Sequence, residues 1–249
     1  MSIFRALPEE ISALEELAKA QDFPLFDAEL PEVLLLHGYF LGKGSLQGLA
    51  VHLQNSYDVA RVDYPSLQDL EKTTQQLLAE IKTITDLRGE AISLVGHSMG
   101  GLVATRIAQE YPAAVKKVIA LGTPFYGTFG AYTQYPLHLM CSLSSYFLSF
   151  DSLLSSHSPG SPTDSSILQM LPNSRFIRNL QEKGFPESVQ FFSLYSSDDF
   201  VVLPWWSPKL PKQENTCNIQ ISDVGHLGLL GKRCYGIVEK VLTGEKNIF

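Results

Sequence analysis

Charge of either sign is scarce in this 249-residue chain: Asp, Glu, Lys and Arg together make up 18% of it. Its 26 acidic residues outnumber 19 basic ones, for a formal net charge of −7. Nucleic acid selects for clustered Lys and Arg, so no nucleic-acid partner is expected. Cysteine is rarer still. Cys141, Cys217 and Cys234 are far apart, form no C-x-x-C pair, and as an odd set give no disulfide framework. Reduced structural thiols are expected. Long unbroken apolar runs are missing too. The most apolar long window, Tyr135 to Leu154, is interrupted by His138, Asp151 and several serines, which makes it a poor membrane span. The N-terminus, M-S-I-F-R-A-L-P-E-E-I, has one Arg followed by acids and lacks the apolar stretch of a secretory leader. A cytoplasmic location is expected, with secretion by a route that cleaves no signal left open. There is no internal repeat.

Hydrophobic residues are plentiful, at 45% of the chain, enough to bury a sizeable core. Their spacing alternates between two periods. An amphipathic helix is expected over residues 8–20, with Ile11, Leu14, Leu17 and Ala18 at helical spacing. Short apolar runs follow at Val33 to Gly38, Tyr57 to Val62, Ala91 to Val95, Val115 to Leu121, Val189 to Tyr195 and Thr216 to Ser222. Helical patterns separate most of them, at Ser45 to Leu53, Leu67 to Leu87, Met99 to Tyr111 and about Asn173 to Lys183, and one closes the chain at Gly231 to Leu242. Continuously apolar strands alternating with helices imply a doubly wound, mostly parallel α/β sheet of about six strands, covered on both faces. Right-handed crossovers then put a site at the C-terminal ends of the strands. The alternation breaks between Pro124 and Glu187, a stretch rich in Ser, Pro, Phe and Leu. A single domain is expected, with an insertion at about 125–187 acting as a helical cap or lid.

G-H-S-M-G (Gly96 to Gly100) lies between an expected strand and an expected helix. In that setting the pattern places Ser98 on a strained turn that lifts its hydroxyl above the sheet. Gly96 and Gly100 leave room for the tight strand–helix contact. A serine hydroxyl needs a base, and the base needs an orienting acid. Of six histidines, His226 follows the last strand, in S-D-V-G-H-L-G-L-L, on the same edge as Ser98. His37 is expected to brace the first loop, and the turn should send the His97 side chain away. The acid should stand between Ser98 and His226, where Asp198 and Asp199 compete in Y-S-S-D-D-F-V-V. Adjacent residues in a turn point apart, so only one reaches the base. Asp199 is favoured because Val202, three residues on, would pack against the sheet and fix the loop. An oxyanion would be held by the backbone N–H of Met99 and by that of Tyr39, with Phe40 the second choice for the latter.

These motifs, in the order Ser, Asp, His, resemble those of the α/β-hydrolase superfamily, and within it the bacterial triacylglycerol lipases and esterases. V-L-L-L-H-G-Y resembles their oxyanion loop, G-H-S-M-G-G their nucleophile turn, and L-G-T-P-F-Y-G-T (Leu121 to Thr128) is similar to a segment many of them carry. The acid and base segments resemble those of minimal, nearly lidless members, an alignment that puts the acid on Asp199. The resemblance spans roughly 32–130 and 188–245. It implies ester hydrolysis through an acyl-enzyme, with no cofactor and no metal. The chain departs from minimal members in the length of Tyr126 to Phe185.

Leu139, Leu143, Phe147, Phe150 and Leu154 recur at helical spacing. That face either packs on the sheet or covers the site and takes acyl chains. Phe40, Phe125, Leu143, Phe147 and Trp205 are the expected substrate contacts, and Trp205 and Trp206 could equally cap the rim. A small-molecule or lipid ester is the expected substrate, with transient contact at a lipid interface left open. Two rival readings are an acyltransferase or thioesterase using the same residues, and a non-catalytic binding protein on this fold.

Overall fold

A computed structural model describes residues 30–132 and 165–245 of the chain. The helix expected over 8–20 and the segment Tyr135 to Leu154, with its Leu143 and Phe147, lie outside the described residues.

Six strands form one sheet: β1 (Val33–Leu36), β2 (Val59–Val62), β3 (Ile92–His97), β4 (Val115–Leu121), β5 (Gln190–Tyr195) and β6 (Thr216–Gln220). Their spatial order is β2-β1-β3-β4-β5-β6, and every neighbouring pair is parallel. The helices between them are α1 (Gln47–Leu53), α2 (Leu70–Arg88), α3 (Met99–Glu110), α4 (Ser166–Gln169), α5 (Arg175–Lys183) and α6 (Lys232–Thr243). The sheet is therefore the doubly wound parallel one that the apolar strand runs imply. Its strand order reverses direction next to β3, where sequential connections switch from one side of β1 to the other.

The period-2 rule divides the core into two clusters. Leu34, Leu36, Leu94, Val118 and Ala120 face α2, α3 and α5. Val33, Leu35, Val95, Ile119 and Leu121 face α1 and α6. Both faces of β1 and β3 are buried, so neither strand shows polar alternation. The helix ends follow their capping chemistry. Asp69 accepts the Lys72 N–H at 2.8 Å to open α2, and Gly89, at φ 71°, closes it. Ser174 opens α5 by accepting the Ile177 N–H. The ammonium of Lys117 in β4 donates to the carbonyls of Val241 and Leu242, at 2.8 and 2.7 Å, and so satisfies the C-terminal end of α6.

α3 is the most deeply set helix, buried from Met99 to Ala108. It can sit this low because of glycine. A side chain on Gly100 would strike the backbone carbonyls of Leu36 and His37 at the end of β1, and one on Gly96 would strike the first turn of α3. Backbone cannot move aside as a side-chain tip can, so Gly100→Ala should displace α3 and lower stability by about 1–3 kcal/mol. Urea denaturation measures this, and a wild-type midpoint in the variant would contradict the packing described.

Candidate functional site

β3 runs on through Gly96 and His97, and α3 begins at Met99. Ser98 is left alone to turn the chain, at φ 53° and ψ −118°. A positive φ is strained for a residue with a Cβ. The end of β4 counters the strain at both of its peptide groups. The Ser98 N–H donates to the Leu121 carbonyl at 2.8 Å, and Thr123 Oγ1 donates to the Ser98 carbonyl at 2.9 Å. Ser98 is 8% exposed and opens on a cleft of about 220 Å³ that His226 also lines.

His226 follows β6, at the head of a short 3-10 turn over Leu227–Leu230. Its Nδ1 lies 2.7 Å from Oδ2 of Asp199. The other oxygen, Oδ1, accepts the N–H groups of Val201 and Val202, each at 2.9 Å. Burial pushes the Asp199 carboxyl up, but the imidazole of His226 and the two backbone donors outweigh it and hold the group below its ordinary range. Asp198 accepts the Asp223 N–H at 3.0 Å, tying the Asp199 loop to the His226 loop. Of the two competing acids, Asp199 is the one the turn brings to His226.

Around the loop after β1, the Tyr64 hydroxyl donates to the His37 carbonyl, and the two rings stack with centroids 4.1 Å apart. His37 Nε2 lies 3.3 Å from the Tyr64 nitrogen and 3.4 Å from Asp63 Oδ1, and Nδ1 lies 3.0 Å from the Gly38 carbonyl oxygen. His37 braces this loop, as its position after an apolar strand suggests. Tyr39 lines the cleft. The Phe40 N–H is engaged with Ser66 Oγ at 3.2 Å, and its side chain is 48% exposed. Met99 occupies the first position of α3, where the N–H has no intrahelical acceptor.

The remaining expected contacts fall elsewhere. Phe125 is fully buried in the core and meets Phe185 edge-on at 5.9 Å, because the chain folds inward after Gly122. It is not a wall of the cleft. Trp205 is 55% exposed, beyond the cleft lining, with the Lys209 ammonium 4.3 Å from its ring centroid. The apolar wall instead comes from Ala131, Val202, Ile167 and Met170. Ile167 and Met170 belong to α4 and its end, a four-residue helix too short to leave a periodic signal. Thr128 was also legible only as part of a motif. Its hydroxyl donates to the Val201 carbonyl and accepts the Leu203 N–H, clamping the Asp199 loop. His97 differs from expectation: its ring is turned into the site, with its centroid 4.7 Å from that of His226.

The sequence profile described as the alpha/beta hydrolase fold matches residues 31–134. This chain is an α/β-hydrolase-fold protein. Over 126 residues it is 30% identical to epoxide hydrolase 4 of Mus musculus, a match covering 47% of this chain and 35% of the relative. Over 96 residues it is 30% identical to a pimeloyl-[acyl-carrier protein] methyl ester esterase of Pseudoalteromonas atlantica, covering 37% of each. The chain thus spans little more than a third of the length of the curated relatives it matches. Lipase B of Aspergillus fumigatus superposes with a TM-score of 0.64 at 18% identity, covering 87% of this chain and 55% of that one. At that identity the likeness is one of fold. Among the described residues of this α/β-hydrolase-fold chain, no three His, Cys, Asp or Glu side chains are grouped to hold a metal. No helix among them is long and apolar enough to cross a membrane.

Burial, with His226 next in effect, pushes the His97 pKa down from 6.5 to about 3. His226, Asp199 and His37 are the titratable groups acting on it. In the unfolded chain His97 takes a proton below about 6.5, while in the folded protein it stays neutral. The unfolded state therefore binds more protons between these values. Stability from this group is fully present above 6.5 and is lost as pH falls toward 3, at about 1.4 kcal/mol per unit. His97→Gln removes this titration. Between pH 7.5 and pH 5 the variant should lose less stability than wild type, by on the order of 2 kcal/mol in urea denaturation. Parallel losses in the two proteins would contradict a neutral buried His97.

Proposed function

We propose that this chain is a serine carboxylic ester hydrolase of esterase or lipase type, with Ser98 as nucleophile, His226 as base and Asp199 as orienting acid. The observation that carries this reading is the 2.7 Å contact of Asp199 with His226 Nδ1, in a cleft that the strained Ser98 shares. Asp199 accepts the Nδ1 proton and leaves Nε2 as the basic nitrogen. Ser98 Oγ attacks the ester carbonyl carbon, and His226 takes the hydroxyl proton. The N–H groups of Met99 and Tyr39 bind the resulting oxyanion, and the amino end of α3 adds its dipole. Phe40, whose N–H is spent on Ser66, is the weaker donor. The alcohol leaves with the proton from His226. Water then attacks the acyl carbonyl and gives a proton to His226, the C–O bond to Ser98 breaks, and His226 returns that proton to Ser98 Oγ as the carboxylic acid leaves.

The cleft suggests the substrate class. Its walls are mainly apolar and its volume is about 220 Å³, below the roughly 300–1,000 Å³ of common ligand pockets. A small-molecule ester with a compact apolar acyl group fits best. The resemblance of one region to a methyl ester esterase accords with a small alcohol leaving group.

Hydrolysis of nitrophenyl esters tests the reading. Ser98→Ala should lower turnover by roughly 10⁴ to 10⁶. Asp199→Asn should cost about 10⁴, since the imidazole loses its orienting partner. Asp198→Asn should keep most of the activity. Wild-type turnover in Ser98→Ala would end the proposal, and the reverse result for the two aspartates would reassign the acid.

Met170→Ala should open the apolar wall and shift kcat/KM toward longer acyl chains. Each added methylene accommodated is worth about 1–3 kcal/mol. An unchanged ranking of acetate, butyrate and hexanoate esters would place the acyl group elsewhere.

A further inference from the structure

We infer that His97 is a positioning residue for His226, holding the backbone of the proposed base while Asp199 holds its ring. The inference rests on the assignment of Ser98, Asp199 and His226 above. His97 Nε2 lies 3.1 Å from the His226 carbonyl oxygen. A carbonyl only accepts, so Nε2 carries the proton and donates. The two rings lie at 47° to each other, with centroids 4.7 Å apart.

A single hydrogen bond at Nδ1 leaves the imidazole free to pivot about that bond. Fixing the carbonyl of the same residue removes the pivot. With both ends held, the range of positions open to Nε2 of His226 narrows, which is what proton transfer from a serine hydroxyl requires. His97 is well placed to do this because it is the neighbour of Ser98 in the chain. The turn that sets the nucleophile also sets the donor that sets the base.

The slot for the His97 ring is built on the other side as well. A side chain on Gly38 would come within 2.9 Å of His97 Nδ1 and 3.2 Å of Ser98 Cβ. Glycine at that point of the oxyanion loop lets the imidazole pass between that loop and His226. His97 Nδ1 has no hydrogen-bond partner among the described residues. An apolar side chain would fill the slot without burying an unpaired nitrogen. What the imidazole adds over such a side chain is its Nε2 donor, and that donor goes to His226. Burial keeps the ring neutral, so it adds no charge to oppose the imidazolium that forms on His226 during turnover.

Comparison of His97→Gln, His97→Asn and His97→Leu tests this on the full chain with a nitrophenyl ester. The glutamine amide reaches the position of imidazole Nε2. The asparagine amide stops near that of Nδ1, and leucine has no donor. His97→Leu and His97→Asn should lower kcat on the order of 10²-fold with little change in KM, as for a misplaced catalytic group. His97→Gln should restore most of kcat. Wild-type kcat in a folded His97→Leu would overturn the inference. Should that variant fail to fold, equal kcat in the asparagine and glutamine variants would do the same. Ser98→Ala run alongside separates the two ideas: activity that survives it removes the catalytic assignment itself, whereas its loss with no effect at His97 removes only the positioning role.

Discussion

One residue held against its own preference, Ser98 at φ 53° and ψ −118°, organises the molecule. Such a conformation costs of order 1–3 kcal/mol and persists only where the surroundings over-determine it. Here they do. β3 enters the turn fully buried between β1 and β4, and α3 leaves it buried along nearly its whole length. Leu121 and Thr123, at the end of β4, grip the peptide groups on either side of the serine. The glycines on both sides let the helix approach the strands closely enough for this to happen. The parallel sheet is thus the frame that keeps a single unfavourable dihedral pair in place.

The loops at the same sheet edge are tied to one another rather than merely gathered. Thr128 clamps the Asp199 loop through Val201 and Leu203. Asp198 bridges from that loop to the N–H of Asp223 in the His226 loop. His97 joins the Ser98 turn to the His226 carbonyl, and Tyr64 joins β2 to the loop after β1. Each tie is a buried or half-buried hydrogen bond between segments far apart in the chain. Each restricts a loop that would otherwise be free to vary. Electrostatics follows the same plan. The carboxylate of Asp199 is kept charged by its donors, while His97, equally buried, is kept neutral.

Much of this was legible beforehand. The apolar runs place all six strands within a few residues of where they stand, because a strand buried on both faces has no polar interruptions to obscure it. The longer helices read equally well from their period. Reading failed where side-chain direction matters. Phe125 looks like a cleft residue from its place beside the G-T-P motif, yet it turns into the core against Phe185. Trp205 looks like one from its place beyond the Asp199 loop, yet it lies on the surface. Ile167 and Met170 could not be found because a four-residue helix completes barely one turn, and a helical period shows only over several.

The sequence by itself determined the order of elements, the parallel sheet, and the residue types at the ends of β1, β3, β5 and β6, since these depend on local periodicity and on glycine and turn chemistry. Only the tertiary structure decided between neighbours. It brought Asp199 rather than Asp198 to His226, turned His97 inward rather than away, and engaged the N–H of Phe40 but put Tyr39 on the cleft. Those choices depend on the direction of single peptide groups and side chains, set by packing between segments up to 129 positions apart, which no local pattern in the chain encodes.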